Sequence, residues 1–278
     1  MVDALFVCVN YNNSKETINY IIHLNQCLNE KQFNIVVCDN SESKCEFDNL
    51  SKFIKNYHIK NIYLTKSKKN LGYFTGMQFA INFYVNNFSD IPSIIYICNT
   101  DIIIKTKNII EISKNIFKKD NILSIAPNIV LAKQLKPQNP FKIKKPTYKK
   151  LKFLEKVYSN QVLNNTYSLA YKLKRKLIKN SITDSSTCTI YAPHGSFIII
   201  KKEFFKLGGT LNYPGFLFGE ELFLAEQILK LNKKVIYLKD INIIHNENCV
   251  TKLIESSKKR LLKLNSTKYL EKYLYNIR

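Results

Sequence analysis

Residues 93–104 read SIIYICNTDIII. The apolar run Ile94 to Cys98 stops abruptly at Asn99-Thr100-Asp101, and an apolar run resumes after it. So short a run, rich in β-branched residues and holding an aromatic, predicts a buried strand. A carboxylate at its carboxyl end is costly to bury unless something pairs with it. In open α/β sheets the carboxyl ends of strands are where ligands bind. Asp101 therefore either caps a turn or holds a cation at a ligand crevice.

The same pattern repeats upstream. Ala4 to Val9, Asn34 to Cys38 and Ile59 to Thr65 read as strands. Lys15 to Glu30, capped by Ser14 or Asn13, Cys45 to Asn56, and Gly72 to Asn87 read as helices. This alternation predicts a mostly parallel sheet with helices on both faces and right-handed crossovers. A helix from Asn108 to Lys118 and a strand from Leu123 to Val130 follow. Then the pattern changes. Lys133 to Lys179 holds fourteen Lys/Arg and one acid, Glu155, with prolines at 137, 140 and 146. A helical stretch runs from about Tyr148 to Leu177, with Phe and Tyr interleaved among the charges. Regular structure resumes at Thr189 with a strand from Ser196 to Ile200. Helices from Lys202 to Leu207 and Glu220 to Leu231 and a short strand from Lys234 to Leu238 complete it. Ile254 to Ile277 reads as a basic amphipathic helix or pair. The organisation expected is a first half over 1–132, a basic helical insertion over 133–182, a second half of the same domain over 183–250, and a helical tail over 251–278.

The 278 residues are 45% hydrophobic, enough for a sizeable core, and carry a net charge of +22. That charge predicts a polyanionic neighbour: nucleic acid, an anionic membrane surface or phosphorylated substrates. The seven cysteines show no Cys-x-x-Cys spacing, and Cys8, Cys38 and Cys98 lie in strand-like runs. Buried thiols in a reducing compartment are expected rather than a disulfide framework or zinc site. The amino terminus lacks a signal-peptide pattern and no run reaches 18 apolar residues, so the expectation is a cytoplasmic chain with no spanning helix.

Several short constellations carry chemistry. Asp39 and Asp101 each follow an apolar strand, and two such carboxylates suit a nucleotide with a divalent cation. An Asx-turn or a helix cap is the plainer reading of Asp39. Asn70-Leu71-Gly72-Tyr73, with Gly76, is a glycine-bearing entry to a helix, whose free N–H groups suit an anion; close packing is the alternative. Phe218-Gly219-Glu220-Glu221 puts two acids at a helix start behind an aromatic. One of them can be a general base raised in pKa by apolar surroundings, or both serve the helix dipole. His245 follows Ile241 to Ile244 and can add an imidazole to an oxygen site.

Taken in order, these pieces resemble the family 2 glycosyltransferases, inverting enzymes of GT-A fold, in a rhamnosyltransferase-like branch of bacterial surface polysaccharide synthesis. The matching residues are Val9-Asn10-Tyr11-Asn12, Val37-Cys38-Asp39-Asn40-Ser41, Asn70-Leu71-Gly72-Tyr73 with Gly76, Asn99-Thr100-Asp101, His194-Gly195-Ser196-Phe197, Gly208-Gly209, Phe216 with Phe218-Gly219-Glu220-Glu221, and Ile244-His245. The resemblance implies an α/β fold of GT-A type: a mostly parallel Rossmann-like sheet flanked by helices, with the basic insertion and the tail added. It implies a nucleotide-sugar donor, dTDP-rhamnose or a UDP-hexose, bound in the half 1–132 by Val9, Asn10, Tyr11, Asp39, Asn70, Gly72, Gly76, Asn99 and Thr100. Asp101 and His245 would hold Mg²⁺ or Mn²⁺ against the diphosphate. His194, Gly195, Phe218 and Gly219 would line the sugar or acceptor pocket in the half 183–250, with Glu221 as base and Glu220 its rival. The acceptor implied is a glycan, lipid-linked in many such enzymes, which places the basic segment and the tail on the inner membrane surface; a homodimer is left open. Three departures stand out. Asn99 replaces the first acid of the family's Asp-x-Asp, Glu221 is one methylene longer than the usual aspartate, and residues 133–179 have no counterpart.

Two other classes compete. A non-enzymatic nucleic-acid-binding protein accounts for the charge, but acids ordered at strand ends would repel phosphates, and no RRM, KH or zinc-finger signature is present, so nucleic acid is not the expected partner. A sugar nucleotidyltransferase would want a glycine-rich basic loop near the amino terminus, and Asn10 to Lys15 has no glycine.

Overall fold

In the computed structural model of the chain, residues 2–177, 187–247 and 254–276 are described. The first half follows the predicted alternation: β1 (Ala4–Asn10), α1 (Ser14–Cys27), β2 (Phe33–Asp39), α2 (Lys44–Asn56), β3 (Ile62–Lys66), α3 (Tyr73–Phe88) and β4 (Ile94–Cys98). Local chemistry starts these helices. The Asn13 side chain accepts the Glu16 N–H to open α1, and Ser43 accepts the Cys45 N–H to open α2. Beyond β4 come β5 (Ile102–Ile104), α4 (Ile109–Phe117) and β6 (Ile122–Leu131). The insertion forms α5 (Tyr148–Ser159) and α6 (Gln161–Leu177), and then β7 (Cys188–Ile190), β8 (Phe197–Lys201), α7 (Glu203–Lys206), α8 (Glu220–Lys230), β9 (Lys234–His245) and α9 (Ser256–Tyr275) follow.

The strands form one sheet in the order β3-β2-β1-β4-β8-β6-β9-β5, with β7 also on β9. The longest pairings, β1 with β2 and β6 with β9, are parallel. β8 enters antiparallel between β4 and β6, and β5 and β7 pair antiparallel with β9. Alternate residues of β1 face opposite cores, as a period of two requires. Ala4, Phe6 and Cys8 join α1, α2 and α4 on one side, while Leu5 and Val7 join α3, α8 and α9 on the other.

The structure departs from the expected elements in the second half. The two apolar runs after Leu231 form a single 12-residue strand, β9, whose register against β6 shifts between Pro127 and Asn128. Ile102 to Ile104, the apolar run that resumes after Asp101, is a strand, because its backbone pairs with Ile243 to His245. The helical stretch 148–177 breaks at Asn160, whose side chain accepts the Val162 and Leu163 N–H groups and restarts the chain as α6. The tail helix does not stand apart: Leu270 and Leu274 are buried in the core beside α3 and α8. Lys152 of α5 pairs with Glu271 of α9 at 2.8 Å, so insertion and tail make one helical layer over the sheet.

Candidate active site

The carboxyl ends of β1, β2 and β4 set the floor of the site. In-register pairing places Asn10 beside Asp39. The Asn10 amide donates to Asp39 Oδ1 at 2.9 Å, and Thr17 donates to Asn10 Oδ1 at 2.8 Å. The Ser41 N–H also reaches Asp39 Oδ1, and Lys66 Nζ binds Oδ2 at 2.7 Å. Asp39 is fully buried behind the floor and does not line the cavity, so it bears on a ligand through Asn10. Gly76 is also behind the surface: a Cβ there would lie 2.8 Å from the Asn40 amide and 3.0 Å from Val9. Its role is close packing of α3 on the floor. Gly72 has φ +80, and a Cβ would meet the Phe216 carbonyl at 2.3 Å. Asn70 accepts the Gly72 N–H at 2.9 Å, and Asn40 donates to the Gly72 carbonyl.

A second group sits past β4. The pairing of Ile102 with His245 draws together two residues far apart in the chain. His245 Nε2 lies 3.2 Å from Asp101 Oδ1 and 3.5 Å from the Asn99 amide. His245 Nδ1 lies 2.7 Å from Gln138 Oε1, so Nδ1 donates to that amide oxygen and Nε2 faces Asp101. Asp101 and His245 are nearly buried, and one carboxylate with one oriented imidazole fits a divalent cation that draws its other ligands from a diphosphate. Among the described residues no group of three His, Cys, Asp or Glu converges on such a site. His194 lies edge-on to His245, with ring centroids 6.1 Å apart, and its Nδ1 takes the Ser196 N–H. Burial, with His245 adding to it, pushes His194 down to about 3, so it is neutral.

The third group faces these from the start of α8. Phe218, at φ +72, and Gly219, at φ +97, turn the chain into the helix. A Cβ on Gly219 would strike Leu270 of α9 at 2.4 Å. Glu220 is 6% exposed and Glu221 partly buried. A Cβ on Gly195 would lie 2.7 Å from Glu221 Oε1, so that glycine makes room for the carboxylate. Burial, with the charge of Glu221 added, holds Glu220 well above the usual carboxyl range. Burial raises Glu221 too, against backbone N–H groups of Glu221, Gly195 and Gly219 and the positive charge of Lys142.

One cavity of about 740 Å³ joins the three groups. Val9, Asn10, Tyr11, Asn70, Gly72, Asn99, Thr100, Asp101, His194, Gly195, Phe218, Gly219, Glu220 and Glu221 all line it, and His245 stands behind Asp101. The insertion and the tail supply its remaining wall, including Lys142, Tyr158, Lys258 and Lys263. Burial lowers the pKa of Lys142 and of Lys263, which lies 5.4 Å from the Phe218 ring centroid. These lysines and Gln138 escaped the sequence reading. Nothing distinguishes them among the fourteen Lys/Arg of 133–179 or in the tail until the helices are in place.

No family model and no curated protein sequence matches the chain. Solved structures do. The crystal structure of GalNAc-T7 with UDP, GalNAc and Mn²⁺ superposes with a TM-score of 0.63 at 13% identity, over 99% of this chain and 50% of that one. This chain has the GT-A fold. The same GT-A arrangement relates it to the mannosyltransferase PcManGT from Pyrobaculum calidifontis in complex with GDP-Man and Mn²⁺, with a TM-score of 0.54 at 10% identity, covering 99% of this chain and 72% of that one. It relates it likewise to S. aureus TarS 1–349, with 0.53 at 12% identity, covering 98% and 72%. The chain thus spans half the length of the first of these GT-A structures and about three-quarters of the others.

Proposed function

We propose that this protein is an inverting glycosyltransferase that moves a sugar from a nucleoside-diphosphate donor to a glycan acceptor. The observation that carries the reading is a single cavity lined by Asp101, with His245 at its back, and by Glu221. Two of the structures that share the fold hold a nucleotide or nucleotide sugar with Mn²⁺, which supports a donor of that class. Val9, Asn10 and Tyr11 flank the nucleoside, and Asn70 with the start of α3 and Asn99-Thr100 lie toward the phosphates. Asp101 and His245 would hold Mg²⁺ or Mn²⁺, which when bound offsets the charge that builds on the departing diphosphate. Asn99, in place of a second acid, leaves that site with one less negative charge.

In the reaction Glu221 takes the proton of an acceptor hydroxyl. That oxygen bonds to the anomeric carbon as the carbon–oxygen bond to the diphosphate breaks, and the bonding pair leaves on the nucleoside diphosphate. One displacement from the opposite face inverts the anomeric centre. Burial raises the pKa of Glu221, which makes its carboxylate a stronger base than an exposed one. His194, Gly195, Phe218 and Gly219 shape the sugar side of the pocket. A dTDP-rhamnose or UDP-hexose donor and a lipid-linked acceptor of surface polysaccharide synthesis are the specific forms of this reading. Calorimetric titration of UDP, GDP and dTDP, with and without Mn²⁺, tests it. Metal-dependent binding of one of them, lost in Asp101→Ala, is expected; no binding of any by the folded wild type overturns it.

A further inference from the structure

Nine of the seventeen exposed large apolar side chains among the described residues fall between 133 and 177. They cluster most densely on α6. Val162, Leu169 and Leu173 are 69%, 62% and 54% exposed. Their spacing, i, i+7 and i+11, places them in one line along the helix, about 16 Å long at the usual rise. Leu163, 48% exposed, flanks the line. Asn164, on the opposite side, is buried, and Arg260 of α9 reaches across to Gln161 at 2.7 Å and to the Tyr158 carbonyl at 2.6 Å. So α6 is held on one side by Asn164, Gln161 and Tyr167 and turns Val162, Leu169 and Leu173 outward. This inverts the usual rule for a helix on a globular protein.

Charge decides the occupant. Fourteen Lys/Arg against one acid lie in 133–179, and α6 itself contains no acid. Two such segments brought face to face would repel, which argues against a second copy of the chain. An apolar line on a segment so rich in Lys/Arg and so poor in acid instead matches the boundary between anionic headgroups and acyl chains. No helix among the described residues is long and apolar enough to cross a membrane. The position suits the cavity: Leu151, Leu154 and Tyr158 of α5 line it, while Phe153 and Tyr167, with ring centroids 5.8 Å apart, pack α5 to α6.

We propose that the outward face of α6, along Val162, Leu169 and Leu173, docks the protein on a bilayer bearing anionic lipid. It goes beyond the transfer reaction and does not depend on it. The test is cosedimentation with vesicles of phosphatidylcholine alone, or with about one-third phosphatidylglycerol. The variant Val162→Ser/Leu169→Gln/Leu173→Gln keeps every charge, and Leu169→Gln alone guards against misfolding of the triple change. Wild type should bind the anionic vesicles at least about tenfold more tightly than the neutral ones, and the triple variant should lose most of that while circular dichroism and nucleotide binding stay unchanged. Equal binding by wild type and variant assigns the contact to charge alone and overturns the proposal. So does an absence of vesicle binding, or a wild-type dimer that the variant turns into a monomer. The vesicles contain no nucleotide, so failure here leaves the transferase reading to its own titration.

Discussion

Glu220 and Glu221 are sequence neighbours with different surroundings, and in the proposed reaction that difference separates their roles. Successive helical side chains point about 100° apart, so one cavity cannot receive both alike. Glu221 sits in the space that Gly195 leaves, among backbone N–H groups, while Glu220 is almost wholly buried. Glu221→Gln should lower the transfer rate by about 10²–10⁴ and leave nucleotide affinity intact, as expected of a base that acts only in the chemical step. Glu220→Gln should instead show in stability. The pKa of Glu220 is raised by folding, so the native state loses stability as pH climbs above the ordinary carboxyl range toward the raised value. The glutamine removes that loss. Its melting temperature should match the wild type near pH 4 and exceed it by about 2–4 °C at neutral pH, read by scanning calorimetry. A loss of turnover in Glu220→Gln and not in Glu221→Gln would reverse the assignment. The paired acids at a helix start were legible in sequence; that Glu221 is the one given room beside the cavity depends on Gly195, 26 positions away.

At the level of elements, the insertion is tied down at its root. Lys145 Nζ reaches Glu226 Oε1 of α8 and the Leu274 carbonyl of α9, both at 2.8 Å, and Tyr191 donates to the other Glu226 oxygen at 2.9 Å. Glu226 is 3% exposed, so removing its cation leaves a buried charge held by one hydroxyl. Lys145→Ala should destabilise the fold by about 2–3 kcal/mol, measured by denaturant titration, because three elements lose a common partner. A cost below about 0.5 kcal/mol would show that water replaces the lysine. The first-half elements were readable because each buries a face with its own period. The break at Asn160 was not, since the lysines and apolar residues keep a helical rhythm through it. The 12-residue β9 shows in sequence only as a short strand from Lys234 to Leu238 and a separate apolar run from Ile241 to Ile244, because Lys239 and Asp240 interrupt its apolar pattern at the register shift against β6.

Over the whole molecule, +22 charges on 278 residues oppose compaction. Among the described residues the ion pairs are few beside that excess, and much of the charge lies by sequence in the insertion and the tail. Added salt should therefore stabilise the ligand-free protein. Between about 10 and 150 mM NaCl, where the screening length falls from about 30 to 8 Å, the melting temperature should rise by several degrees. A fall would mean that surface ion pairs outweigh the repulsion.

What the sequence determined by itself is the order of elements in the first half and the positions of acids and asparagines at strand ends. Hydrophobic period and turn residues are local signals, and they report that a face is buried and where a strand stops. Only the tertiary structure decided what each face is buried against. It placed β8 antiparallel between β4 and β6, and it set Gln138 against His245 across 107 positions of chain. It brought lysines of the insertion and the tail to one cavity, and it withdrew Asp39 behind Asn10. Those outcomes are pairings between distant segments, and their energies come from cross-strand and interhelical packing that no single segment encodes.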